Sequence, residues 1–466
     1  MRPLLLSQIA RWCEARPVYP AGWMEQDIGV AAVRTDTRAL DAAAPTLYVA
    51  LRGERFDGHD YAAQAQSKGA VALLVDHRLD VALPQLLCGD TVAALGELAA
   101  GVQEGRAAKV IALTGSNGKT TVKTLLLGIL AGVGRAYANP GNRNNEIGLP
   151  LAVIDAPEDA DYAIYEMGAG KPGDIAYLTS IVRPQIALVN NVAPAHLERM
   201  GTLLGVAETK GAIYEALALD GVAVINADDA FAACFEQRAS GRRLLRFGIE
   251  ASAEISVREL RGHATGSDFV LHTPAGGVAV SLPLPGRHNV MNALAAAALA
   301  LAAGASLRAI RDGLERAAPV PGRQVMHLLG NGAQLIDDSY NANPGSVEAA
   351  IATLAAIDGE GWLVLGDMAE LGEGAEPLHA QVGDAARNQG IARLYTVGRL
   401  SRAATRAFGP AARHFESMDL LIAALASELH PGVRVLVKGS RSSAMDTVVA
   451  ALLSASANAE GVAHVP

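Results

Sequence analysis

Eight consecutive residues, Thr114-Gly115-Ser116-Asn117-Gly118-Lys119-Thr120-Thr121, join an apolar run, Val110 to Leu113, to a helix predicted to begin near Lys119. Glycines at 115 and 118 let backbone N–H groups turn toward an anion, and the helix start adds partial positive charge. Lys119 has the reach to meet terminal phosphates, Thr120 carries a hydroxyl suited to Mg²⁺, and Ser116, Asn117 and Thr121 complete the loop. A strict phosphate loop has a glycine where Leu113 stands, so the motif is shortened to G-x-x-G-K-T. An ordinary glycine-rich turn would explain the glycines but not the Lys-Thr-Thr behind them.

Other ligand-type side chains stand where short apolar runs end. Tyr162 to Glu166 reads as a strand closing on a carboxylate beside Met167-Gly168, the edge where ligands gather in open α/β sheets, and this makes Glu166 a Mg²⁺ candidate. The run from Gln185 to Asn191 leads into Val192-Ala193-Pro194-Ala195-His196. His196 is either a structural loop histidine or, with Thr120 and Glu166 at neighbouring strand ends, a neutral metal ligand. Lys210 falls inside a helix predicted over 203–219. It is either a solvated lysine paired with an acid or, held near metal and away from water, one that loses its proton and reacts with CO₂ to become an anionic oxygen ligand.

Gly286-Arg287-His288-Asn289-Val290-Met291-Asn292 opens an alanine-rich helix, where His288, Asn289 and Asn292 either cap the helix or line a base pocket. After Pro319-Val320-Pro321-Gly322, Arg323 is set to swing onto a γ-phosphate and Asp338, at a strand end, to hold a ribose, unless both belong to surface turns. Two loops, one around Asp367 and one containing Lys438, Ser440 and Arg441, offer acid and base to a substrate with an ammonium and a carboxylate, or are simply solvated turns.

Positioning these groups takes a repeating framework. At 466 residues the chain exceeds what one core serves, and two to three units are expected. Half the residues are hydrophobic but only 4% are aromatic, which with the abundant alanine indicates small-residue helices packed on sheets. Short apolar runs at 110–113, 162–166, 185–190 and 222–226, separated by helices, predict a mostly parallel, covered sheet. A hairpin is expected around 268–271 and 278–282. Strands near 334–336, 362–365, 393–397 and 433–437 repeat the pattern, with a last helix from about Ser443 and frayed final residues. The expected division is 1–88, 89–317 and 318–466, the hinge at Ala318 to Gly322 being set by two prolines and a glycine.

A net charge of −9 without a basic run argues against a nucleic-acid partner, while leaving room for local anion sites. No apolar run reaches the roughly 20 residues of a membrane span, and the start lacks a signal-peptide core, so a soluble, cytoplasmic protein is expected. Cys13, Cys88 and Cys234 are odd in number and lack metal-ligand spacing, which suits a reducing compartment.

Taken in order, TGSNGKTT, YEMG, NNVAPAHLE, the Lys210-Gly211 helix, GRHNVMNA, PGR, DDSYNANP, LGDMAELG and VKGSRSS resemble the Mur ligase family over residues 35 to 446. The resemblance implies three α/β domains: an N-terminal one for a UDP-sugar peptide, a central mostly parallel-sheet ATPase and a C-terminal Rossmann-like one. It implies that Thr35, Asp36, Thr37 and Arg38 contact the UDP substrate, that Lys119 and Thr120 hold ATP phosphates and Mg²⁺, and that Glu166 and His196 bind metal, two ions in all. It further implies that Lys210 is N6-carboxylated, Asn289 meets adenine, Arg323 the phosphates and Asp338 the ribose. NRNNEIG, with Asn142 and Asn145, together with DDSYNANP and LGDMAELG, resembles the branch that adds D-alanyl-D-alanine to a UDP-N-acetylmuramoyl-tripeptide, as a monomer. Another amide ligase of the same fold and a nucleotide-dependent switch protein are the alternatives.

Overall fold

The computed structural model describes residues 3–23, 27–53 and 55–462. Three principal sheets follow one another along the chain. The first has five strands in the spatial order Arg16–Val18, Gln85–Leu87, Ala70–Val75, Thr46–Val49 and Ala32–Arg34. All its pairings are parallel except that of Arg16–Val18.

The second sheet is parallel throughout, ordered Arg243–Phe247, Val222–Asn226, Ile186–Val189, Lys109–Thr114, Tyr162–Glu166 and Ala136–Ala138. Its strands are continuous apolar runs because both faces are covered. Ile111 and Leu113 pack into one cluster with Leu125, Leu126 and the helix Arg287–Ala303, while Val110 and Ala112 pack into another beneath Thr91–Glu104 and Asp174–Val182. In that helix Ala293 and Ala295 to Ala298 are fully buried, so the alanines allow close approach to the helix Lys119–Leu130. The strand Lys109–Thr114 lies between Tyr162–Glu166 and Ile186–Val189, reached on opposite sides, so a crevice opens at their carboxyl ends.

The third sheet runs Val325–Leu328, Gln334–Asp338, Val433–Lys438, Glu360–Leu365, Arg393–Val397 and Ala412–Phe415, with only Val325–Leu328 antiparallel. Apolar clusters line both of its faces.

Several expectations are amended. The anticipated hairpin is part of a three-stranded antiparallel sheet, because Ser256–His263 joins Gly266–Thr273 and Gly276–Leu282. The last helix begins at Asp446, since Arg441–Ser443 forms a single tight turn, and it continues to Val462; the expected fraying extends to 463–466, outside the described residues. One apolar cluster draws residues from Leu4 through Ala239, from the first sheet and from one face of the second, so these share a core. Cys13, Cys88 and Cys234 are free thiols. Among the described residues no helix is long and apolar enough to cross a membrane.

Candidate active site

The crevice is a cleft of about 790 Å³ between the second and third sheets. Ser116 to Thr121 form its floor, with Glu166, His196, Asn289, Asn292, Arg323, Asp338, Lys438 and Arg441 on its walls. Gly118 caps the following helix with φ of 77°; a side chain there would lie 2.3 Å from Asn292 Oδ1 and 2.6 Å from Asn190 Nδ2. Only glycine fits. Asn190 Nδ2 donates to Asn117 O (2.9 Å) and Asn292 Oδ1 (3.1 Å), so asparagines from a loop and from the alanine-rich helix brace the phosphate loop.

Glu166 is 3% exposed at its strand end. Its Oε2 accepts from the Thr120 hydroxyl at 3.0 Å and pairs with Lys123 Nζ at 3.1 Å, and its Oε1 accepts from Asn144 Nδ2 at 3.0 Å. Burial acts to raise this carboxyl, but Lys123 and Lys119 outweigh it and hold the group below the ordinary range. Lys123 also donates to Asn139 O (3.0 Å) and Gly141 O (3.1 Å), anchoring the loop that carries Asn142 and Asn145 into the cleft. Lys123 and Asn144 are residues the sequence reading missed. The signal for Lys123 was its i+4 spacing from Lys119, which puts both on one helix face.

Lys119 Nζ donates to Gly115 O at 2.7 Å, and its proton affinity is lowered by burial and by Arg323 against the pull of Glu166. Arg323 stacks 4.4 Å over the Tyr340 ring and donates from Nη2 to Thr120 Oγ1 at 3.0 Å, so the third sheet reaches the phosphate loop. Asn343 adds a second link, Nδ2 to Asn117 Oδ1 at 2.7 Å. His196 abuts Glu370, a further residue not anticipated. Burial lowers its basicity, Glu370 opposes that, and Lys210 and Lys119 add to it, so the net shift is downward, toward the neutral ring.

Lys210 is 1% exposed and makes no hydrogen bond through Nζ among the described residues. Burial, reinforced by Lys119 and opposed by Asp174, pulls its pKa well down. A buried amine favouring its neutral form fits CO₂ capture, and hydroxyl, carboxylate and imidazole donors fit a divalent cation.

Other expected residues lie elsewhere or are engaged. Asp338 and Lys438, assigned to different ligands, are paired with each other at 2.7 Å. Asp367 accepts backbone N–H bonds from Leu400 (3.0 Å) and Ser401 (2.7 Å), and Ser440 donates to Asp367 O at 2.7 Å, so neither belongs to the cleft wall. Thr35 to Arg38 follow the strand Ala32–Arg34 of the first sheet, away from the cleft lining. There Thr37 donates to Gln64 Oε1 at 2.7 Å, and the Arg38 guanidinium pulls the exposed Asp36 carboxyl to about 2.

Fold and site together define a nucleotide-dependent α/β enzyme of several sheets closing on a phosphate loop. The chain belongs to the Mur ligase family: the family's catalytic domain matches residues 30–113, its middle domain 113–300 and its glutamate ligase domain 322–441. It is 47% identical over 91% of its length to UDP-N-acetylmuramoyl-tripeptide–D-alanyl-D-alanine ligase of Escherichia coli, covering 94% of that protein. A crystal structure of MurF from Acinetobacter baumannii superposes with a TM-score of 0.91 at 33% identity, over 97% of this chain and 99% of the other. MurF ligase from Thermotoga maritima in complex with ADP gives 0.82 at 25% identity, over 92% and 98%.

Proposed function

We propose that the protein joins D-alanyl-D-alanine to UDP-N-acetylmuramoyl-tripeptide at the expense of ATP, an acid–amino-acid ligation of peptidoglycan synthesis. The observation that carries this reading is the convergence of Gly118, Lys119, Thr120, Glu166 and Arg323 in one cleft bridged by residues of the third sheet. The Escherichia coli relative, named for that reaction, supports the choice of substrates.

A carboxylate is a poor acyl donor because its leaving group would be an oxide. In the proposed reaction a terminal carboxylate oxygen of the tripeptide attacks the γ-phosphorus, the bond to the β-bridging oxygen breaks and ADP leaves, giving an acyl phosphate. The dipeptide's free amine then attacks the acyl carbon, and the tetrahedral adduct loses a proton and expels phosphate. Backbone N–H groups of the loop, Lys119 and Arg323 offset charge on the transferring phosphoryl; positioning and electrostatics do most of the work. Thr120, Glu166, His196 and Lys210 as a carbamate would hold Mg²⁺, as two ions, which when bound supply further charge neutralisation at the phosphates. Asn289 would face the base, with Asn292, bonded to Asn190 and Asn289, holding it and the phosphate loop in place. Asn142 and Asn145 would face the peptide end, and Arg441 the incoming carboxylate. Docking of the last unit would keep water from the acyl phosphate. Few, unpaired cysteines support a cytoplasmic location, and the enzyme would act as a monomer.

The decisive measurement is ADP release with the UDP-muramoyl-tripeptide, with and without D-alanyl-D-alanine, and mass detection of the pentapeptide. ADP that needs both substrates, with a product equal to their sum less one water, is the expected outcome. Release that responds to glutamate or a diamino acid but not to D-alanyl-D-alanine would reject it.

A further inference from the structure

His196 and Glu370 belong to different sheets' loops, and each sits in the left-handed backbone region, at φ of 55° and 63°. That conformation is disfavoured for residues with a side chain, so neighbouring contacts must impose it. Glu198 N–H donates to the Glu370 carbonyl at 3.3 Å. Gly372 lies so close that a side chain there would meet Glu198 Cα at 3.3 Å. The short helix Leu197–Met200, whose first cap is His196, packs on the turn Gly372–Gly374. In this docked arrangement Glu370 Oε2 abuts Nδ1 of His196.

A carboxylate oxygen and an imidazole lone pair repel at such close range, so Nδ1 carries a hydrogen, and in the neutral ring Nε2 is then the nitrogen that keeps its lone pair. That tautomer is the one a metal ion requires, and a carboxylate on the far nitrogen is a common way of orienting a ligating histidine. Here the carboxylate arrives from across the cleft. We propose that Glu370 is a positioning residue which fixes the tautomer and orientation of His196, so that this histidine is competent for a divalent cation only when the last unit is docked on the middle one. The inference rests on the nucleotide-site reading above. It makes closure and cation affinity reciprocal, since whatever favours one favours the other.

The test uses the full chain, Mn²⁺ as the probe ion and a non-hydrolysable ATP analogue, with bound Mn²⁺ counted by electron paramagnetic resonance. Glu370→Ala is expected to weaken Mn²⁺ binding by about 10-fold to 100-fold, and Glu370→Gln, which keeps an acceptor oxygen, by less. In a His196→Asn background Glu370→Ala is expected to change nothing further, because no imidazole remains to orient, whereas a general structural defect would lower affinity in both backgrounds. Binding within twofold of the parent in Glu370→Ala, or an equal loss in the His196→Asn background, overturns the proposal. A parent chain that binds neither Mn²⁺ nor the analogue overturns the nucleotide-site reading, and this inference with it.

Discussion

Lys123 stands one helical turn beyond Lys119, 6% exposed, and its ammonium serves one carboxylate and two carbonyls. Its removal leaves Glu166 as a buried, underpaired charge, a situation that destabilises by about 3–5 kcal/mol. Lys123→Met is therefore expected to lower the denaturant midpoint strongly, and adding Glu166→Gln to recover much of the loss, since a neutral amide in place of the carboxylate removes the uncompensated buried charge. Chemical denaturation of the two single variants and the double variant measures this directly; equal losses adding in the double variant would show that the pair is not coupled. His288 offers a pH prediction. Burial, helped by Lys438, pulls its pKa down to about 4 from the ordinary 6.5, so the folded chain resists a proton that the unfolded chain accepts. Stability attributable to His288 is thus complete above pH 6.5 and is lost as pH falls from there toward about 4. The difference in melting temperature between the parent and His288→Gln is expected to be flat above pH 6.5 and to shift against the parent below it.

Helix ends carry the contacts between sheets, and Asn343 is the clearest case. Its side chain caps Pro344–Ala355 by accepting from Ser346 N, in a capping box, while its Nδ2 donates to Asn117 in the phosphate loop. Asn343→Asp keeps a good cap but deletes the donor and places negative charge beside the loop; Asn343→Ala loses cap and donor together. Nucleotide titration and thermal melting are expected to separate the two roles: Asn343→Asp binds ATP at least about tenfold more weakly, for 1.4 kcal/mol of lost contact, at nearly parental stability, while Asn343→Ala also loses about 1 kcal/mol of stability. Elements of this kind differ in how far the sequence discloses them. The strands Lys109–Thr114, Tyr162–Glu166 and Val222–Asn226 are contiguous apolar runs because helices cover both faces, and they are legible for that reason. Ser256–His263 is not. It is an edge strand with mostly solvated side chains, and its alternation is broken by a register shift between Arg258 and Arg261, where Glu259 has φ of 54°. Ala136–Ala138 and Ala412–Phe415 are likewise edges without a hydrophobic pattern of their own. Within the site the phosphate loop is local chemistry and readable from eight residues, whereas Lys123 with Glu166, Glu370 with His196 and Asp338 with Lys438 depend on which strand ends the topology brings together.

At the scale of the molecule, the two junctions between sheets are chemically unlike. The first sheet shares an apolar cluster with the second, through Leu6, Ile9 and Cys13 against Ala94, Leu98 and the residues beyond, whereas the third sheet keeps its clusters to itself. Across the cleft the links are polar: Arg323 to Thr120, Asn343 to Asn117, and Glu370 to His196. Apolar junctions resist separation because opening them exposes hydrocarbon to water, while polar ones exchange protein partners for water at little net cost. The last unit is therefore expected to separate more readily than the first, about the proline-bearing segment that precedes Arg323. Limited trypsin digestion without ligands is expected to cut first after the exposed Arg316, leaving residues 317–466 as a persistent folded fragment with its own two-faced core. Cuts in the first unit, such as after the exposed Arg78, are expected to yield pieces that stay associated, because the shared cluster still holds them. An ATP analogue that binds only the closed state should slow the cut at Arg316, by about 2.7 kcal/mol of closed-state stabilisation when it is present at one hundred times its Kd. Rapid loss of the 317–466 fragment, or ready separation of the first unit after cleavage, would mean that the apolar continuity does not govern which junction opens.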